Sequence, residues 1–366
     1  MQSSGKLHIG NYFGAIKQHI DRQHHGDCFY FIADYHALTT LRENVDKALA
    51  AAQQMAKGNK VSESAVSEYK AQITRRERED VASQHMRSNI RDAALDYLAL
   101  GLDPAKVAFY RQSDVPEVCE LAWVLSCVTG HGLLERAHSF KDKVTQGITP
   151  SVGLFTYPVL MAADILIVRS HQVPVGKDQE QHLEMTRDMA RSFNAAYGEV
   201  FPLPEAVYND AAVVPGTDGR KMSKSYGNTI NIFAEGKELK NAVMGVVTDS
   251  TPVDQPKNPD TCNAFQLLKL FATGDELGKL AELYKNPMLD AESRGGRPFG
   301  YGDAKTILLN KIDHYFAAAR ERRKQLERDP GVVEEALARG ARWAREVARV
   351  TMRLVRERVG LLSRPV

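Results

Sequence analysis

The chain has 366 residues, 43% of them hydrophobic, with 48 Lys+Arg against 46 Asp+Glu. That composition excludes disorder as the overall state and gives length for about two or three domains, whose core needs no disulfide or metal staple. No run of about 18 apolar residues occurs, so no membrane span is expected, and the opening Met1-Gln2-Ser3-Ser4-Gly5-Lys6 lacks the apolar core of a secretion signal.

In chain order, Asn11 to Gln23 reads as a helix. Cys28-Phe29-Tyr30-Phe31-Ile32-Ala33-Asp34 follows as a short buried parallel strand closed by a carboxylate. Residues from about 42 to 85 read as a helical, charged insertion around Lys57-Gly58-Asn59-Lys60, with no chemistry assigned. Arg87 to Leu100 is helical. Val107-Ala108-Phe109-Tyr110 is a second strand after the helix-ending Gly101-Leu102-Asp103-Pro104. Pro116 to Thr129 and Lys177 to Tyr197 are helical, and Val173 to Val175 reads as a strand. Ile165 to Arg169 fits either a strand or the end of a helix begun near Val159. Strand and helix alternate, which argues for a doubly wound parallel α/β sheet with ligands beyond the C-terminal strand ends.

After about residue 230 the strand signal fades. Val333, Leu337, Ala341, Ala344, Ala348, Met352, Val355, Val359 and Leu362 recur every three or four residues as the apolar stripe of one long helix. Arg342, Arg345, Arg349, Arg353 and Arg356 form a second stripe. Residues 303–366 carry 15 Lys+Arg against 9 Asp+Glu. That surplus fits a polyanion contact, although charge alone favours a solvated basic helix. Cys28, Cys119, Cys127 and Cys262 include no CxxC pair, so they read as reduced thiols of a cytoplasmic protein, and no protein metal site is expected.

Two segments carry the chemistry. In Gly5-Lys6-Leu7-His8-Ile9-Gly10-Asn11, small residues lead into a helix N-terminus, where backbone N–H groups can approach a phosphate. His8 and Asn11, three apart, can face one oxyanion. By themselves these residues also fit a histidine that caps a helix. In Gly216-Thr217-Asp218-Gly219-Arg220-Lys221-Met222-Ser223-Lys224-Ser225, two lysines three apart make a cationic loop able to close on a triphosphate. It matches no Walker A pattern, and alone it also fits a solvated basic turn.

Together, in this order and spacing, the two signatures resemble the HxGH and KMSKS motifs of class I aminoacyl-tRNA synthetases. Tyr157-Pro158-Val159-Leu160-Met161-Ala162-Ala163-Asp164-Ile165-Leu166 and Val173-Pro174-Val175-Gly176-Lys177-Asp178-Gln179 are similar to segments of the tryptophanyl-tRNA synthetases. The resemblance runs from Gln2 to the KMSKS loop and more weakly to the end. It implies a Rossmann-like catalytic domain over 1–228, with the loop at 218–228. An α-helical anticodon-binding region would occupy 229–366, its last helix, about 332–362, packing back on the catalytic domain.

The implied activity is ATP-dependent activation of L-tryptophan and its transfer to tRNA, with Mg2+ accompanying ATP, in a homodimer. The resemblance assigns His8, Asn11, Lys143, Lys221 and Lys224 to catalysis. It assigns Gln2, Ser3, Ser4, Gly10, Asn11, Gly176, Lys177, Asp178, Val213, Lys221, Met222, Ser223, Lys224 and Ser225 to ATP. It assigns His36, Tyr157, Met161, Asp164, Ile165, Val173, Val175 and Gln179 to tryptophan. Glutamate is usual where Lys177 stands, and Asn11 replaces the second histidine of HxGH.

The residues support an indole site on their own chemistry. Indole has one polar handle, its N–H donor, on a large apolar body. Asp164, embedded in Leu160-Met161-Ala162-Ala163 and Ile165-Leu166, has the character of its acceptor, although an acid at a helix terminus would look the same. A tyrosine-specific relative usually has glutamine where Met161 stands. Family members also place a hydrophobic strand before the turn matched by Gln2-Ser3-Ser4-Gly5. Here Met1 precedes it directly, so either a segment comes before Met1 in the full protein or the pocket lacks that wall.

Overall fold

The computed structural model describes residues 7–41, 46, 75–137, 151–208 and 213–361. The first helix, α1, runs through three consecutive stretches, Ile9–Asn11, Tyr12–Ile16 and Lys17–Arg22, the middle one wound as a wider π turn. Strand β1 (Cys28–Ile32) and the short α2 (Asp34–Ala37) follow. Then come α3 (Arg75–Leu100), β2 (Val107–Arg111), α4 (Glu117–Val128), α5 (His131–Glu135) and α6 (Val152–Ile167). The strand-bearing half is completed by β3 (Gln172–Val175), α7 (Glu180–Tyr197) and β4 (Glu205–Tyr208). The remainder is helical among the described residues: α8 (Gly236–Met244), α9 (Asn263–Leu268), α10 (Gly274–Lys285), α11 (Tyr301–Arg328) and α12 (Pro330–Arg358).

Both strand pairings are parallel, as the alternation with helices demands: β1 with β2, in register Ile32↔Arg111, and β3 with β4, in register Val175↔Tyr208. Among the described residues the two pairs are not hydrogen-bonded to each other. A cleft of about 160 Å³ lies between them, lined by Phe29, Tyr30 and Phe31 of β1 and by Gln172, Val173 and Pro174 of β3. Helix α1 spans this cleft. Arg22 Nη2 donates to Gln172 Oε1 at 2.5 Å, and Gln18 Nε2 donates to the Val207 carbonyl at 3.2 Å.

The ambiguous stretch Ile165 to Arg169 is mostly helix, with α6 running to Ile167 and Arg169 in a left-handed turn at φ 50°. Asp34 opens α2 and does not belong to β1. Helix α12 lies directly on β2. A Cβ on Gly340 would sit 2.1 Å from the Phe109 carbonyl oxygen, so only glycine permits this approach. Alanines 336, 344 and 348 are buried alongside it.

Part of the arginine stripe of α12 is engaged in ion pairs with α4. Arg345 Nη2 donates to Glu117 Oε1 at 2.9 Å, Arg349 lies 3.7 Å from the same oxygen, and Arg356 pairs with Glu120. Three of the five arginines thus fasten α12 to α4. Among the described residues no helix is long and apolar enough to cross a membrane.

Candidate functional site

The ends of β1 and β2 build the first half of the site. Beyond Ile32 and Arg111 the chains are laced together. Asp34 Oδ1 accepts from Ser113 N–H at 2.9 Å, and Gln112 Oε1 accepts from Tyr35 N–H at 3.1 Å. This lacing holds Gln112 and His36 against α6. Gln112 Nε2 donates to both oxygens of Asp164, at 2.7 and 2.9 Å, and His36 Nε2 lies 2.8 Å from Asp164 Oδ2. When Asp164 is ionised it can only accept, and His36 Nε2 is then the donor of this pair.

Asp164 is 4% exposed. Burial raises its pKa above the usual carboxylate range, and the bonds from His36 and Gln112 act in the opposite sense. Beside it, Ile165, Val175 and Leu183 are buried and pack with Met161, Val173 and Ala206 as one apolar cluster. Met161, Ile165, Val173 and Val175, four of the residues assigned to tryptophan, therefore lie together. The Tyr157 ring stands edge-on to His36, with centroids 6.5 Å apart, and its hydroxyl lies 2.6 Å from His182 Nε2.

The second half joins the His8 turn to the loop. His8 caps α1: Asn11 N–H donates to His8 Nδ1 at 3.3 Å, and Asn11 Oδ1 accepts from His8 N–H at 3.2 Å. With Nδ1 an acceptor, the neutral ring carries its proton on Nε2 and presents a donor there. Burial, aided by the nearby positive charge of Lys224, pushes the His8 pKa down to about 4, so the ring is neutral at physiological pH.

The loop touches this turn directly. Gly10 N–H points at Met222 Sδ at 3.3 Å, and a Cβ on Gly10 would lie 3.2 Å from Met222 Cβ. Lys224 shares a cavity of about 350 Å³ with Leu7, His8, Thr229 and Asn231. Lys221 is exposed. Asn228, 2% exposed, organises the loop. Its Nδ2 donates to Asp218 Oδ1 and to the Lys221 carbonyl, and its Oδ1 accepts from Ser223 N–H at 2.8 Å. Gly216 is required there, since a Cβ would lie 2.2 Å from Asn228 Nδ2.

Gly176 caps the single turn Lys177–Gln179 after β3, at the same kind of strand end as His36 and Gln112. Gly176 and Lys177 are exposed. Val213 is exposed at the base of the loop, where its neighbour Val214 accepts from Met222 N–H at 2.9 Å. Gln2, Ser3, Ser4 and Lys143, with most of the insertion, lie outside the described residues, as do the side chains of Asp178 and Ser225. Sequence reasoning missed Gln112, His182 and Asn228 as organisers. The signal for Gln112 was its place one residue past a strand, the rule that also marks the ligand side of such sheets.

Comparison with known proteins identifies the family. The family model "tRNA synthetases class I (W and Y)" matches residues 1–84 and 64–289. A tryptophan–tRNA ligase of Fusobacterium nucleatum is 48% identical over 365 residues, covering 99% of this chain and 97% of the relative. One from Rhodopirellula baltica is 46% identical, covering 99% and 98%. Among solved structures, the tryptophanyl-tRNA synthetase of Campylobacter jejuni complexed with ADP and tryptophan is 44% identical. It superimposes with a TM-score of 0.80 and covers 99% of this chain and 98% of that one. The chain belongs to the class I tRNA synthetases (W and Y), on the tryptophanyl-tRNA synthetase side of that family.

Proposed function

We propose that the protein activates L-tryptophan with ATP and transfers it to tRNA. The observation that carries this reading is the buried Asp164 carboxylate, oriented by His36 and Gln112 beside the Met161, Ile165, Val173 and Val175 wall. The indole N–H donates to a remaining lone pair of Asp164 while the ring contacts the wall. A ligand without that donor leaves the carboxylate short of a partner, at a cost of about 1–3 kcal/mol. If Tyr157 donates its proton to His182, its oxygen keeps lone pairs for the substrate ammonium, and Gln179 supplies a second acceptor.

The tryptophan carboxylate attacks the ATP α-phosphorus in line and pyrophosphate leaves. A hydroxyl of the terminal ribose of tRNA then attacks the adenylate carbonyl and releases AMP. No side chain of the protein forms a covalent bond, so catalysis is positioning and charge stabilisation. His8 Nε2–H and the Asn11 amide contact the phosphates as charge shifts, and Lys221, Lys224 and Lys143 follow the departing pyrophosphate. Gly10, Met222, Ser223 and Ser225 line the nucleotide, with Gln2, Ser3 and Ser4. Gly176, Lys177, Asp178 and Val213 meet its adenosine. Mg2+ enters as part of the ATP substrate. The His8 turn and the loop offer donors and cations, which fits an ion held by phosphate oxygens and water.

The catalytic part ends near residue 228, and the helical remainder holds the tRNA. Two copies meet through the exposed stripe Cys119, Trp123 and Cys127 of α4, where Trp123 is 72% exposed. The four thiols are unpaired, as suits the cytoplasm. The test is tryptophan-dependent exchange of pyrophosphate into ATP, run beside tyrosine. Exchange with tryptophan and not tyrosine is expected, because Met161 offers the phenol hydroxyl no strong partner. Exchange with tyrosine alone refutes the substrate. No exchange with either, beside intact tRNA binding, refutes the enzyme.

A further inference from the structure

The His8 turn is bedded on the rest of the molecule through a short antiparallel rung. Ile9 N–H donates to the Ile230 carbonyl at 3.0 Å, and Ile232 N–H donates to the Leu7 carbonyl at 3.1 Å. Between them His8 bridges to Asn231. Residues 230–232 are also the way out of the cationic loop, just past its organiser Asn228. Asn231 lines the cavity that holds His8, Lys224 and Glu238. The His8 backbone is thus placed by this rung on one side and by its own helix cap on the other.

Arg320 of α11 holds the rung from behind. It is 3% exposed. Its Nε donates to the Ile232 carbonyl at 3.2 Å, and its Nη1 donates to the Asp313 carbonyl at 3.0 Å and to Asp313 Oδ1 at 2.8 Å. Phe316, one helical turn before it, packs edge-on against Tyr12 of α1 with centroids 5.2 Å apart, and the Tyr315 and Tyr12 hydroxyls lie 3.3 Å apart. Helix α11 therefore meets the His8 turn twice, at Tyr12 and at the rung. Arg323, the next buried-side cation of α11, gives its bonds to Asp92, Asp96 and Glu327 instead. Packing alone is a poor reason for Arg320. Its Nη2 is buried with no hydrogen-bond partner among the described residues, and the carboxylate it pairs with, Asp313, is exposed. A buried guanidinium left partly unsatisfied stabilises a fold less than an apolar side chain of similar volume. Unlike an apolar side chain, it fixes the direction and distance of the carbonyl it binds.

We propose that Arg320 is a positioning residue for the reaction: through the Ile232 carbonyl it sets the rung, and through the rung it sets where His8 presents its Nε2–H donor. The inference rests on the reading of His8 as a phosphate ligand. Arg320 itself touches no substrate. A donor that stabilises shifting charge acts only from a fixed place, so slackening the rung costs rate. Tryptophan binding, built on Asp164 and the strand ends, is left as it was.

The experiment has two arms and uses Arg320→Lys, which keeps the charge and most of the stem but cannot reach Ile232 and Asp313 together. In the first arm, amide hydrogen exchange read by NMR speeds up by about tenfold at Ile9 and Ile232 and stays unchanged in β1 and β2. In the second, tryptophan-dependent pyrophosphate exchange loses about tenfold to a hundredfold in kcat with KM for tryptophan unchanged. In a His8→Ala background the same substitution costs less than about threefold, because the group it positions is gone. A merely structural role lowers both backgrounds equally. Should Arg320→Lys fail to fold, Asp313→Ala, at the exposed partner, is expected to give the same pattern more weakly in both arms. Unchanged exchange at Ile9 and Ile232, or equal kcat losses in the two backgrounds, overturns the proposal. Faster exchange at those two amides in a protein that lacks activity supports the hold of Arg320 on the turn and overturns only the reaction on which its role rests.

Discussion

The two halves of the site are held in opposite ways. Around Asp164, three elements converge on one buried carboxylate, and every fixing bond comes from a neutral amide or an imidazole. Around His8, the fixing bonds are local to a helix cap and a loop, and the groups offered are cationic and partly exposed. The first arrangement suits reading a fixed shape with one polar handle. The second suits following charge that moves during the reaction. Specificity should therefore fail when the first half is altered, and rate when the second is.

The sharpest separation is expected from Lys224→Ala. It should lower kcat by about a hundredfold or more with little change in thermal unfolding, since the side chain lies on an exposed loop. Steady-state exchange kinetics beside a melting curve read both. An equal loss of stability would mean that the loop is structural. Gln112→Ala should act the other way. It removes two hydrogen bonds to Asp164 and one of the two acceptors of Tyr35 N–H, the other being Asp34 Oδ1. A cost of about 2 kcal/mol is expected, roughly thirtyfold in kcat/KM for tryptophan, with KM for ATP nearly unchanged.

The smallest effect concerns His8. Its pKa falls from 6.5 in the unfolded chain to about 4 in the fold. Between these values the unfolded state binds the proton and the folded state does not. The stability tied to the neutral ring is therefore present above pH 6.5 and is lost as pH falls toward 4. His8→Gln should flatten the decline of Tm in that window, and an unaltered decline would assign it to other groups.

What could be read from the sequence was what is local. The His8 turn, the loop and the apolar residues around Asp164 are short segments whose chemistry shows in their spacing. The strand ends were legible because apolar runs close on polar residues, as at Ile32 and Arg111. The organisers were not legible, because their partners are remote: Gln112 is 52 residues from Asp164. The α12 arginines gave a face without saying what covers it, since Glu117 lies 228 residues from Arg345. Strand β4 was missed because four half-exposed residues show no alternation. The end of α6 was ambiguous because a fully buried helix and a buried strand are equally apolar.

The central claim is that Asp164 reads the indole N–H. The direct test compares kcat/KM for tryptophan with that for its analogue bearing sulfur in place of the ring N–H, in the unaltered protein and in Asp164→Leu. The account expects a preference for tryptophan of about tenfold to a hundredfold in the unaltered protein, falling to near parity in Asp164→Leu. The same ratio in both proteins would contradict it.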